Sequence, residues 1–90
     1  MSSASANLTI RNRLGLHARP AMSLVDTASG FASDIKIGKG KQVVDAKSIM
    51  QLMMLAATQD TELTVTAEGA DAEAAVAAIT ALVESKFDEE

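Results

Sequence analysis

Between residues 18 and 28 the apolar side chains Ala21, Leu24, Val25 and Ala28 recur at i, i+3, i+4 and i+7, the spacing of one helix face. Pro20 suits the first turn, where backbone amides lack intrahelical partners, and Gly30 supplies a stop. A different period governs "TELTVTA" at 61–67, where Leu63, Val65 and Ala67 alternate with polar neighbours as in a half-buried strand. "NLTI" at 7–10 is a shorter strand, and "SDIKIGKGKQVVDA" at 33–46 reads as two strands around a glycine-punctuated turn. A second helix is expected over "SIMQLMMLAAT" at 48–58, with Ser48 as N-cap and Gln51 completing a capping box. Gly69 breaks the chain and Asp71 is placed to cap a last helix that runs to about 85. Its buried face holds Ala72, Ala75, Val76, Ile79, Leu82 and Val83. The order is therefore β-α-β-β-α-β-α. Every helix has one apolar stripe and the strands alternate, which predicts an α+β fold with helices on one face of a mostly antiparallel sheet.

Composition narrows this picture in three ways. Seventeen alanines and only two aromatics leave Leu, Ile, Val and Met to build the core, with alanine allowing close approach. Ninety residues suit one domain, 1–90, with the small polar start at 1–6 and the end at 87–90 expected to be loose. Without cysteine, thiol chemistry and zinc-cysteine sites are excluded, and a reducing, cytoplasmic setting is expected. No segment is long and apolar enough to span a bilayer; "LMMLAA" at 52–57 is the best and far too short.

Charge is distributed unevenly. Residues 1–48 hold seven Lys or Arg against three acids, and residues 49–90 hold one Lys against nine acids. With so few basic residues and no Tyr or Trp, nucleic-acid binding is not expected. "GKGK" at 38–41 matches neither phosphate-loop pattern, so a hairpin turn is the better reading.

The basic half contains "LGLHARPA" at 14–21, with the only histidine and the only proline of the chain. A lone loop histidine is usually just a surface residue, but the surroundings of His17 argue otherwise. It falls at the expected cap of the first helix, just before free amides that favour an anion. Arg19 adds a permanent cation with several donors, and Gly15 frees the backbone to expose the imidazole. A metal would find only carboxylates as further ligands, and no nucleophile and base are placed together for hydrolysis. The imidazole itself is left as a nucleophile beside anion donors, an arrangement that fits a phosphoryl group.

"GLHARPA" followed some thirty residues later by "AKSIMQLMML" resembles the HPr family of the phosphoenolpyruvate-dependent phosphotransferase system. The likeness runs from about residue 7 to 86. It implies an open-faced β-sandwich with four antiparallel strands in the order 1-4-2-3, covered on one face by three helices. It implies a phosphocarrier, not an enzyme, whose His17 takes a phosphoryl group on Nδ1 from phospho-enzyme I and passes it to a IIA-type acceptor domain. Arg19 would steady the phosphate, and no cofactor or metal is implied. Ser48 corresponds to the serine that a dedicated kinase/phosphatase modifies in some relatives. Met22, Lys47, Ile49, Met50 and Met53 would lie on the partner-docking surface of a monomer. Many sugar-transport members carry glycine at the positions of Ala56 and Asp60, and lysines where this chain has Asp26, Ser29 and Gln42. A regulatory module of the nitrogen-type branch, acting through protein contacts, is the alternative.

An acyl carrier protein shares the size, the acidity and a serine at a helix start. Its all-helical fold conflicts with the alternating strands here. The helix at 48–58 has more apolar positions than one stripe requires. Ile49, Leu52 and Leu55 or Ala56 can face the sheet, which leaves some of Met50, Met53 and Met54 outward. The bland alternative is that these adaptable methionines fill core gaps on both sides of the helix.

Overall fold

A computed structural model describes residues 2–88. The elements are β1 (Ser3–Thr9), α1 (Ala18–Ser29), β2 (Asp34–Lys39), β3 (Gln42–Asp45), α2 (Ile49–Met54), β4 (Glu62–Glu68) and α3 (Ala72–Glu84), followed by a 3-10 turn at Lys86–Asp88. All strand pairs are antiparallel and the sheet order is β1-β4-β2-β3. Val65, at the centre, pairs with Ala6 on one side and Ile37 on the other. The fold is the open two-layer α+β sandwich that the resemblance implied.

Alternation along β4 sets the layers. Leu63, Val65 and Ala67 are buried while Glu62, Thr64, Thr66 and Glu68 face solvent. Ile35 and Ile37 of β2 extend the same inner face. Against it pack Ala21, Leu24 and Ala28 of α1, Leu52 of α2, and Ala72, Ala75, Ile79 and Val83 of α3. Alanine at so many contacts lets the helices sit close to the sheet. Leu82, expected on the buried face of α3, is only half-buried.

Several boundaries differ from the sequence reading. Residues expected to be a loose start form the first half of β1: Ser3 to Ala6 pair in register with Glu68 to Val65. Small polar residues carry no apolar signal, yet on this strand Ala4 and Ala6 alternate inward as half-buried contacts of the core. At the other end Phe87 is buried against the core, at a left-handed φ of 55°, and not part of a loose tail. Met1 and residues 89–90 lie outside the described residues. The second helix stops at Met54 instead of 58, with Leu55 as its C-cap, because Ala56 turns the chain at φ 51°. Asp71 is the N-cap residue of α3, as expected, but its side chain does not cap the helix. Its carboxylate accepts hydrogen bonds from the amides of Ala32 and Ser33, both 2.9 Å, and from the Ser33 hydroxyl. These bonds tie the start of α3 to the loop before β2.

Candidate functional site at the start of the first helix

The segment between β1 and α1 is held at both ends by the backbone of the loop after α2. The Ile10 amide donates to the Thr61 carbonyl at 2.9 Å, and the Asp60 amide donates to the Ile10 carbonyl at 2.7 Å. Six residues later the Leu16 amide donates to the Ala57 carbonyl at 2.8 Å. Ala56 and Asp60, with φ of 51° and 73°, provide the left-handed turns that bring this loop back. Only glycine fits at position 15. Its φ is +71°, and a Cβ there would lie 2.5 Å from the Ala57 carbonyl oxygen and 2.8 Å from Thr58 Cα.

His17 is the N-cap of α1, with an extended backbone (φ −83°, ψ −170°) and a half-buried side chain. Its carbonyl accepts the first helical bond from the Ala21 amide at 3.0 Å, but its side chain does not cap the helix. Helix geometry leaves the amides of Ala18 and Arg19 without intrahelical acceptors, and Pro20, buried beneath them, has no amide to satisfy. Arg19 is exposed in this first turn, and Arg11 and Arg13 are exposed in the loop before it. From residue 10 to 25 the chain has three arginines and no acid. The arrangement offers an imidazole, two amides at the positive end of a helix and a guanidinium, which together suit a group with several anionic oxygens. Among the described residues no cluster of three or more His, Cys, Asp or Glu could hold a metal ion.

The model of the HPr component and phosphorylation site of the phosphotransferase system matches residues 4–85. The chain belongs to the HPr phosphocarrier family. It is 43% identical to the phosphocarrier protein NPr of Shewanella violacea over 99% of this chain and 98% of that one. It is also 43% identical to the phosphocarrier protein HPr of Xylella fastidiosa over 92% and 93% of the two chains. Among solved structures, an HPr from Thermoanaerobacter tengcongensis superposes with a TM-score of 0.93 at 46% identity, covering 97% of this chain and 98% of that one.

On this HPr fold the other expected site residues fall in two groups. Ser48 is the N-cap of α2, and its hydroxyl accepts from the Gln51 amide at 3.3 Å. Only half of the expected capping box forms. Gln51 Oε1 accepts from the Asp45 amide at 2.9 Å, while the Ser48 amide donates to the Asp45 carbonyl. Lys47 is half-buried and its Nζ donates to the Phe31 carbonyl at 2.9 Å, so its ammonium is partly engaged within the fold.

The methionines divide cleanly from the core. Leu52 and Leu55 are buried and Ile49 is half-buried against them, whereas Ala56 is exposed. Met50, Met53 and Met54 are 76%, 43% and 69% exposed, and Met22 on α1 is 50% exposed, so none of them serves as a core filler. Met54, one of the methionines that the sequence reading left as outward candidates, is thus exposed, and Leu14, 66% exposed beside Gly15, is an exposed apolar residue that the reading did not single out. Ile49 contributes less than expected, since half of it packs inward. Leu14 had a local signal, a large apolar residue that directly follows the exposed Arg13 in a loop.

Proposed function

We propose that the protein accepts a phosphoryl group on Nδ1 of His17 from phospho-enzyme I and passes it to a IIA-type acceptor domain. The observation that carries this reading is an N-cap imidazole that does not cap its helix. The first-turn amides therefore stay available to an incoming anion. In the forward step an imidazole lone pair forms the N–P bond as the bond from phosphorus to the donor breaks. The return step reverses this toward the acceptor. Arg19 and the amides of Ala18 and Arg19 hold the equatorial oxygens in both directions, so transfer depends on positioning and charge stabilisation.

Met22, Met50, Met53, Met54 and Leu14 form the apolar docking surface in this reading, with Ile49 at its inner margin. Methionine repacks easily, which suits a surface that meets a donor and an acceptor in turn. Arg11, Arg13 and Arg19 would draw acidic partners, so association weakens as salt rises. Ser48 is a candidate regulatory position. A phosphate there favours the start of α2 but repels an acidic partner.

The match to an NPr at the same identity as to an HPr supports the nitrogen-type branch as a second reading. Asp26, Ser29 and Gln42, all exposed, also leave this chain without lysines that many sugar-transport members carry.

The test is to incubate wild type, His17→Ala and Arg19→Ala with phosphoenolpyruvate and enzyme I, and to follow intact mass. Wild type should gain one acid-labile phosphoryl group, His17→Ala none, and Arg19→Ala the same group more slowly. Acid-labile phosphate on His17→Ala would overturn the assignment. Offering the phosphorylated protein sugar-type and nitrogen-type IIA domains in parallel separates the two branches.

A further inference from the structure

We propose that Asn12 is a positioning residue for phosphoryl transfer at His17, an inference that rests on the phosphocarrier reading above. Asn12 is a polar side chain with no exposure to solvent, in the loop that leads to the histidine. Its Nδ2 donates to the Gly15 carbonyl at 2.7 Å, and the Gly15 amide donates back to the Asn12 carbonyl at 3.1 Å. The same Gly15 carbonyl accepts from the His17 amide at 3.0 Å. One peptide oxygen thus stands between the Asn12 side chain and the backbone of the phosphoryl-accepting residue.

Both ends of the loop are secured by other groups, at Ile10 and at Leu16. Between them the Asn12 amide supplies a side-chain bond to the turn. A buried amide costs stability unless its donors are used, and an apolar side chain would fill the same space without that cost. The donor's target is the informative part: it holds the orientation of the Gly15 peptide. The same peptide is anchored at its nitrogen by the bond from the Leu16 amide to the Ala57 carbonyl, so without the Asn12 bond its oxygen can tilt about that anchor and weaken the bond it accepts from the His17 amide. The imidazole would then lose its alignment with the amides of Ala18 and Arg19. Partner docking, which depends on the exposed methionines, would be unaffected. The expected signature is therefore a loss in kcat with little change in KM.

The experiment compares wild type, Asn12→Ala, Asn12→Ser and Val83→Ala as substrates of phospho-enzyme I, well below their melting temperatures. Val83 is fully buried on the last turn of α3, so its truncation lowers stability without touching the loop. Amide NMR spectra establish that each variant is folded, and Asn12→Ser serves if Asn12→Ala is not. The Asn12 variants should lose roughly tenfold to a hundredfold in kcat with KM within about twofold. Val83→Ala should transfer at the wild-type rate. If wild type is phosphorylated and the Asn12 variants match Val83→Ala in kcat, Asn12 is only a structural residue and this inference fails alone. If wild type accepts no phosphate, the phosphocarrier reading fails and takes this inference with it.

Discussion

Replacing Gly15 by alanine probes the contact that seats the histidine loop against the loop after α2. Two costs are legible in the geometry. At φ +71° a Cβ meets its own backbone, a penalty of about 1–2 kcal/mol. The Cβ would also stand 2.5 Å from the Ala57 carbonyl oxygen, a backbone atom that moves only if one of the two loops does. Overpacking of that kind costs about 1–3 kcal/mol. Gly40 provides the internal control. Its φ is +59°, but a Cβ there meets nothing within 4 Å, so Gly40→Ala should show the conformational cost alone. In a domain of this size each kcal/mol lowers Tm by roughly 4–8 °C. Gly15→Ala should therefore melt at least about 5 °C below Gly40→Ala in far-UV circular dichroism. It should also accept phosphate more slowly, since relief of the clash breaks the Leu16–Ala57 hydrogen bond one residue from His17. Equal melting temperatures for the two variants would refute the close seating of Gly15 on Ala57.

Met53→Glu should leave Tm within about 2 °C of wild type, because an exposed substitution rarely matters, yet weaken binding to enzyme I and to the acceptor in calorimetry. A large fall in Tm would show that Met53 is core and confine the surface to Met22, Met50, Met54 and Leu14. Ser48→Ala removes the hydroxyl that accepts from the Gln51 amide and should cost about 1 kcal/mol in urea denaturation. Ser48→Asp keeps a cap and adds charge, so it should slow phosphorylation by enzyme I; unchanged kinetics would rule out the switch but not the cap. The Ser33 hydroxyl first, and then the Ala32 amide, hold the Asp71 carboxyl below its ordinary pKa. A depressed folded-state value adds stability above the unfolded carboxylate pKa, and this is lost as pH falls through the folded one. Asp71→Asn should therefore be less stable than wild type at neutral pH and converge with it in acid. A gap independent of pH would assign the loss to geometry alone.

The layered α+β architecture was legible because period and punctuation agreed along most of the chain. Leu63, Val65 and Ala67 announce β4 unaided, and Ala21, Leu24 and Ala28 announce α1. The first half of β1 was not legible, since Ser3, Ala4, Ser5 and Ala6 carry neither bulk nor β-branching. Pairing with β4 makes that strand, and pairing is not local. The early end of α2 was hidden for a related reason. Alanine favours helix, but Ala56 is drawn into a left-handed turn whose neighbour Ala57 accepts from Leu16 across the site. At the site, His17 and Arg19 stand out as chemistry-bearing types beside a proline and a glycine. Asn12 does not, because an asparagine in a loop is ordinary until its burial and its bond to Gly15 are seen. Asp71 shows the converse: an acid before a helix reads as a cap, yet its carboxylate serves a loop 38 residues away.

The central claim is that the His17 imidazole carries the phosphoryl group through nitrogen. Nitrogen-detected NMR of 15N-labelled protein, phosphorylated by enzyme I and phosphoenolpyruvate, reads this directly through phosphorus coupling to one ring nitrogen. The account predicts coupling at Nδ1 of His17, with loss of the signal in acid. An acid-stable phosphate on Ser48, or a His17 ring unchanged while the protein gains mass, would contradict it.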